Sequence, residues 1–159
     1  AHIAEVGDSR AYLVRGGRIR QVTHDQSFVQ VLVDAGVIPP EDAEHHPMKN
    51  VLLQAMGLHP DVKATVARLD LRRDDRLLLC SDGLSNKLSA DDMLAVMEED
   101  APIEARCARL VELANERGGE DNITAIIAEI HGDALMPPPR AEQVSQTLHT
   151  VVEFEPNKK

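Results

Sequence analysis

The stretch that decides the fold is Arg76-Leu77-Leu78-Leu79-Cys80-Ser81-Asp82-Gly83, an apolar run that ends in a polar turn. The continuous run from Leu77 to Cys80 predicts a strand that is buried on both faces. A carboxylate at the end of such a strand is costly unless it is paired or binds a cation. Because Gly83 allows close backbone approach, Asp82 can lean into a site, and we interpret it as a candidate metal ligand.

A second aspartate stands at the opposite end of another strand. Asp121 lies in Gly118-Gly119-Glu120-Asp121-Asn122, directly before a strand predicted over residues 122–130. Two carboxylates at strand ends can converge on one hard divalent ion. Each motif alone also fits ordinary turn chemistry, because Asp-Gly and Asp-Asn pairs are common in loops.

A third polar turn lies near the start of the chain, in Val6-Gly7-Asp8-Ser9-Arg10. It separates one predicted strand from a second that runs to Val14, and Gly16-Gly17 then leads into a third strand over residues 18–22. Asp8 is either a ligand in a shared site or the residue that caps the turn of a simple hairpin. The residues themselves leave both interpretations open.

Five motifs follow one another in a fixed order within residues 1–131. They are Gly7-Asp8-Ser9-Arg10, Thr23-His24-Asp25-Gln26-Ser27, His46-Pro47-Met48-Lys49-Asn50, Leu78-Leu79-Cys80-Ser81-Asp82-Gly83-Leu84 and Gly119-Glu120-Asp121-Asn122-Ile123-Thr124. This order resembles the PP2C-like (PPM) metal-dependent Ser/Thr protein phosphatases of the bacterial type, over the C-terminal two-thirds of their domain. The resemblance implies an α+β fold, a four-layer α-β-β-α sandwich in which helices flank an antiparallel β-sandwich.

The same resemblance implies a reaction and its cofactors. The reaction is hydrolysis of phosphoserine or phosphothreonine on proteins by a metal-activated water, with Mg²⁺ or Mn²⁺ as two core ions and a third, weaker ion. Asp82 and Asp121 would hold a core ion and Asp8 the weaker one, with Asn50 near that additional metal. The local sequence offers another role for Asn50, which is to cap a helix over residues 51–56.

Some of the family's pattern is missing from this sequence. The early phosphate-gripping Arg, the early acidic ligand and the Asp-Gly-x-Gly-Gly segment do not occur. We therefore expect the N-terminal part of the domain, with the general acid and the phosphate-binding Arg, to be missing, and we assign no catalytic residue here. Two hypotheses follow: a catalytic fragment of a protein phosphatase, and a non-catalytic phosphatase-like module with a binding or regulatory role.

Composition narrows the class of protein. The 159 residues are 43% hydrophobic but only 2% aromatic, so the core must be built from aliphatic side chains and Met. A formal charge of −10 argues against nucleic-acid binding, which needs clustered Lys and Arg. No apolar run approaches the roughly 20 residues that span a bilayer. We interpret Cys80 and Cys107 as reduced core thiols, which favours a cytoplasmic location.

The rest of the sequence predicts several helices and, near the C-terminus, a change to a proline-containing segment. Helices are expected over residues 27–35, from Pro40, from the Ser89 N-cap and from Pro102. We divide the chain into a phosphatase domain, residues 1–131, and a proline-containing linker or tail, residues 132–159, that leads toward a further domain. The expected partners are phosphorylated protein substrates of a Ser/Thr kinase.

Overall fold

The computed structural model describes residues 1–58 and 60–138 and the backbone of residues 148–154. Strands and helices alternate in groups along this part of the chain. They are β1 (His2–Glu5), β2 (Arg10–Arg15), β3 (Arg18–Gln21), α1 (Phe28–Asp34), α2 (Pro40–Ala43), β4 (Ala64–Leu69), β5 (Arg76–Cys80), α3 (Asp82–Ser85), α4 (Ala90–Met97), α5 (Ile103–Glu116), β6 (Ala125–Glu129) and β7 (Leu148–Phe154).

The strands form two antiparallel sheets. One has three strands in the order β1-β4-β7, and the other has four in the order β3-β2-β5-β6. In the four-stranded sheet β5 lies between β2 and β6, with Leu77 opposite Leu13 on one side and Ala128 on the other. The predicted α+β fold with an antiparallel sandwich is confirmed.

The alternation of side chains along β2 and β5 divides the core into two clusters. One face packs toward the three-stranded sheet, where the cluster is Ala11, Leu13, Val22, Leu69 and Leu77. The opposite face packs against helices, in a cluster that includes Tyr12, Val14, Leu78, Met93, Met97, Leu110 and Ala114. The expected aliphatic and Met core is confirmed, with Tyr12 as its aromatic member.

The turn at Gly7-Asp8-Ser9 connects the two sheets. Strand β1 pairs with β4, whereas β2 pairs with β3 and β5, so the hairpin interpretation of this turn is wrong. Gly7 has a positive φ of 105° and exchanges two hydrogen bonds with Gln26, through the Gln26 side-chain oxygen (2.9 Å) and backbone N–H (2.8 Å). The turn therefore carries Asp8 to the corner where the two sheets meet.

Helix boundaries follow the capping signals in most places. Ser27 accepts a hydrogen bond from the Gln30 N–H at the start of α1, and Ser89 forms a capping box with Asp92 at the start of α4. The helix expected over residues 51–56 is wrong, because the chain there is irregular and Leu52 makes an isolated bridge with Ser27. Its absence removes the capping role considered for Asn50.

Two further expectations need correction or addition. The end of β5 is not buried on both faces, because Leu79 is 41% exposed. Part of the predicted tail forms β7, whose backbone pairs with β4, while Pro139 and Arg140 of the proline-rich stretch lie outside the described residues. The division at residue 131 stays a prediction.

No helix in the described ranges combines the length and hydropathy that a bilayer crossing requires.

A buried ion pair ties β2 to the turn before β5. Arg15 donates from Nε to Asp75 Oδ1 (2.8 Å) and from Nη2 to Asp75 Oδ2 (2.7 Å), and the backbone N–H of Arg72 also donates to Oδ2 (2.7 Å). Both charged side chains are almost fully buried. Such a pair tolerates the loss of neither partner, because the remaining charge would be uncompensated.

Replacing Asp75 tests this arrangement. We expect Asp75→Asn to lower the free energy of unfolding by about 3–5 kcal/mol, measured by urea denaturation, because Arg15 stays buried without a counter-charge. Glu112→Gln is the control, since the Arg109–Glu112 pair is exposed and solvent screens its charges. Equal losses in the two variants would contradict the interpretation.

Candidate metal centre

The end of β5 and the approach to β6 are joined by hydrogen bonds through Ser81. Its hydroxyl donates to the carbonyl oxygen of Asn122 (2.9 Å) and accepts from the backbone N–H of Thr124 (3.0 Å). The Ser81 N–H also donates to the Thr124 carbonyl (3.2 Å). Because Ser81 directly precedes Asp82, these bonds bring the two aspartate loops side by side.

Gly83 permits the closest approach between these loops. A Cβ built on Gly83 would lie 3.0 Å from the Asn122 carbonyl carbon and 2.5 Å from its oxygen, and the second distance is shorter than real Cβ contacts. Asp82 and Asp121 each accept the next backbone N–H through Oδ1, at 2.9 and 2.7 Å. Each carboxylate therefore has a defined orientation and a second oxygen left for ligation.

All four site residues predicted from the sequence line one open cavity. Its volume is about 680 Å³, and its walls include Asp8, Asn50, Asp82 and Asp121. Within the described ranges, no three His, Cys, Asp or Glu side chains lie close enough together to enclose an ion. The structure thus brings these residues to one place, and their role as ligands stays a prediction.

Negative charge accumulates at this cavity. The pKa of Asp8 is raised, first by burial and then by the charges of Asp82 and Asp25. Carboxylates that destabilise one another in this way are relieved by a bound cation. The donors are carboxylate and amide oxygens, which fit hard ions such as Mg²⁺ and Mn²⁺, and these ions also keep several waters. The residues present therefore fit a divalent ion as part of its ligand set.

A charged pair beside the cavity was not assigned from the sequence. Arg10 donates to Asp25 from Nε (2.9 Å) and Nη2 (2.7 Å), and Gln21 donates to the other oxygen of Asp25 (2.9 Å). Asp25 is buried, and its contacts help to raise the pKa of Arg10. The only sequence signal was the position of Asp25 inside the second motif.

Other polar groups near the cavity differ in whether they could interact with a ligand there. Lys49 and Lys87 line it with the carboxylates, and Lys87 forms an ion pair with Glu120. Cys80 lies beneath the Asp82 loop, where burial raises the pKa of its thiol to about 11. A thiol with that pKa is protonated at neutral pH, so the site does not supply a thiolate nucleophile.

His45 and His46 lie outside the wall of the described cavity. His46 accepts a hydrogen bond from the Met48 N–H through Nδ1 (3.1 Å), and neither histidine lines the described cavity. The described ligand candidates are therefore all oxygen donors.

Comparison with known proteins identifies a family model and individual proteins that this chain resembles. A family model described as Stage II sporulation protein E (SpoIIE) matches residues 29–131. The chain is 41% identical over 128 residues to the serine/threonine protein phosphatase PstP of Mycobacterium tuberculosis, covering 80% of this chain and 24% of that protein.

Solved structures give the same result. A Streptococcus agalactiae serine/threonine phosphatase is 38% identical with a TM-score of 0.76, over 82% of this chain and 54% of that one. The PstP catalytic domain in complex with two manganese ions is 37% identical with a TM-score of 0.70, over 82% and 54%. The chain thus spans about half of each of these two solved structures, and about a quarter of full-length PstP.

Adding one methyl group at Gly83 tests the contact between the loops. We expect Gly83→Ala to lower stability by about 1–3 kcal/mol, because the methyl overlaps the Asn122 carbonyl. The same change should weaken Mn²⁺ binding in calorimetry, because it moves Asp82 away from Asp121.

Gly36→Ala is the control. Gly36, unlike Gly83, has a positive φ (66°), and it has open space around it, so the substitution costs about 1–2 kcal/mol of backbone strain and leaves the cavity intact. Unchanged Mn²⁺ affinity in Gly83→Ala, or an equal loss in Gly36→Ala, would contradict the assignment.

Neutralising Asp8 tests the charge at the cavity. Because the folded-state pKa of Asp8 is raised, its ionised form destabilises the metal-free fold above that pKa, and the penalty disappears as the pH falls below it. Asp8→Asn should therefore raise the free energy of unfolding at pH 7 in EDTA, with a smaller gain at acidic pH. Asp100→Asn, at an exposed position, should show no such pH-dependent gain. A loss of stability in Asp8→Asn at pH 7 would contradict the raised pKa.

Proposed function

Because the chain belongs to the PP2C-like family of Ser/Thr protein phosphatases, we propose that it carries metal-binding residues of a Mg²⁺- or Mn²⁺-dependent enzyme that hydrolyses phosphoserine and phosphothreonine on proteins. One observation supports this most strongly. The contact between Gly83 and Asn122 and the Ser81 hydrogen bonds set the Asp82 and Asp121 loops beside one oxygen-lined cavity. Named relatives of this family are Ser/Thr phosphatases, and one binds two manganese ions.

Each site residue has a separate part in the proposal. Asp82 and Asp121 hold one core ion through the carboxylate oxygens not used by their own loops. Asp8, at the corner between the sheets, holds a weaker ion with Asn50 beside it. Ions bound there would supply Lewis-acid chemistry, by lowering the pKa of the attacking water and neutralising charge on the phosphoryl group.

The fixed orientation of these side chains is what the chain itself contributes to catalysis. The backbone N–H groups of Gly83 and Asn122 hold one oxygen of each carboxylate, so little reorganisation is needed when a ligand arrives. Arg10 is engaged with Asp25, and Lys87 with Glu120. We therefore assign neither the binding of the phosphate nor the general acid to Arg10 or Lys87.

The proposal extends to partners and location. We infer that the substrates are proteins phosphorylated by a Ser/Thr kinase, that residues 1–131 belong to the phosphatase domain and that residues 132–159 lead toward a further domain. A cytoplasmic location is supported by the free thiols of Cys80 and Cys107. These statements rest on the family and on the chemistry of the described residues.

A second candidate is a non-catalytic phosphatase-like module. The observation in its favour is that the described residues do not themselves gather three acidic or His and Cys side chains around one point. The module would bind a partner or a phosphorylated protein without hydrolysis. Metal binding at Asp82 separates the two candidates, because the module does not need it.

Removing one charge at the proposed core site tests the function. We expect Asp82→Asn to lower Mn²⁺ affinity at least about tenfold in calorimetry, since the amide replaces a charged ligand. Asp133→Asn, an exposed carboxylate away from the cavity, should bind Mn²⁺ like the parent chain. Mn²⁺ binding that survives in Asp82→Asn, or that is absent from the folded parent, would favour the non-catalytic module.

A further inference from the structure

A buried hydroxyl group in the short helix α3 has no hydrogen-bond partner among the described residues. It belongs to Ser85, which ends that helix and is 6% exposed. Leaving a buried hydroxyl unpaired is unfavourable, and folded proteins usually pair such a group with another residue, an ordered water or a ligand. The Ser85 side chain therefore indicates that something binds beside it.

The backbone of α3 does not use this hydroxyl. A serine inside a helix often donates its O–H to the carbonyl oxygen four residues earlier. Here the carbonyl oxygen of Ser81 instead accepts from the backbone N–H groups of Leu84 (3.1 Å) and Ser85 (3.3 Å), and the Ser85 hydroxyl makes no such bond. The side chain is thus free to interact with a group outside the helix.

Ser85 lies on the wall of a small polar cavity. The cavity has a volume of about 60 Å³, and its walls also include Asp8, Asn50 and Asp82. Asp82 precedes Ser85 by three residues, about one helical turn, so the two side chains lie on the same face of α3. The hydroxyl therefore shares one small space with two carboxylates and an amide.

The cavity has room for water, and its basic side chains interact with other acids. A volume of about 60 Å³ admits several water molecules, because one water needs roughly 10–15 Å³ measured in this way. Arg10 lines the cavity, but its guanidinium donates to Asp25. Lys49 also lines it, and the charge of Lys49 helps to lower the pKa of Glu120 in a neighbouring loop. The cavity thus suits a hydrated cation.

We propose that Ser85 is a positioning residue for the weaker ion assigned to Asp8, and that its hydroxyl accepts a hydrogen bond from a water molecule held by that ion. This inference rests on the proposed function, since it needs that ion. Mg²⁺ and Mn²⁺ keep several waters, and groups that hydrogen-bond the surroundings of an ion raise its affinity without touching it. Ser85 then helps to set the metal concentration at which the Asp8 site fills.

Removing the hydroxyl tests the proposal. Calorimetric titration of the chain with Mn²⁺ should show a tighter and a weaker binding event, and Asp8→Asn identifies the weaker event by its loss. We expect Ser85→Ala to weaken that event about tenfold and to leave the tighter event at the parent affinity. In the Asp8→Asn background, Ser85→Ala should cause no further change, because both residues act on the same ion.

Stability without metal separates this role from a structural one. In EDTA, Ser85→Ala should unfold at the same urea concentration as the parent or at a higher one, because alanine removes an unpaired hydroxyl and favours the helix. Ser9→Ala is the control, since it removes an exposed hydroxyl outside the wall of this cavity. It should match the parent in both measurements.

Three outcomes would overturn the inference. Parent affinity for both ions in Ser85→Ala would show that the hydroxyl does not act on the weaker ion, while the assignment of that ion to Asp8 would stand. A loss of stability of Ser85→Ala in EDTA would show that the hydroxyl bonds within the fold instead. A folded parent chain that binds no weaker ion would overturn both this inference and the role proposed for Asp8.

Discussion

The close contact between Gly83 and the Asn122 carbonyl is the constraint on which the site depends. Strand pairing places Cys80 opposite Ala125, so the loop that leaves β5 and the loop that enters β6 meet at one edge of the sheet. Ser81 then joins them by hydrogen bonds, and the missing side chain of Gly83 lets their backbones touch. Together these contacts hold Asp82 and Asp121 beside one cavity.

The carboxylates around the cavity differ in how far basic side chains offset their charge. This difference relates the fold to the proposed function. Arg10 compensates Asp25, and Lys87 compensates Glu120, at the margin of the site. The pKa of Asp8, by contrast, is raised, first by burial and then by the charge of Asp82. Carboxylates held this close together lower the stability of the fold, and a bound cation relieves that cost. The buried Arg15–Asp75 pair, by contrast, is fully compensated and serves the fold alone.

Local patterns could predict the elements and the polar loops, but not how the sheets are assembled. The strand around Leu78 and the helix N-cap at Ser89 depend on neighbouring residues, and both were predicted correctly. Whether the Gly7 turn closes a hairpin depends on the distant strand β4, and the exposure of Leu79 depends on what covers it across the sandwich. The Arg10–Asp25 contact likewise joins residues from β2 and the loop after β3. Such long-range relations leave little trace in a single sequence, so four residues of the cavity wall could be named from it while their contacts with neighbouring elements could not.

The central claim is that the paired loops make Asp82 and Asp121 ligands of one ion. The most direct measurement is a crystal structure of the chain grown with Mn²⁺, with the ion located by its anomalous scattering. The account predicts one anomalous peak within coordination distance of both carboxylates. Crystals that show Mn²⁺ elsewhere, or bound to one of the two aspartates with the other turned away, would contradict it.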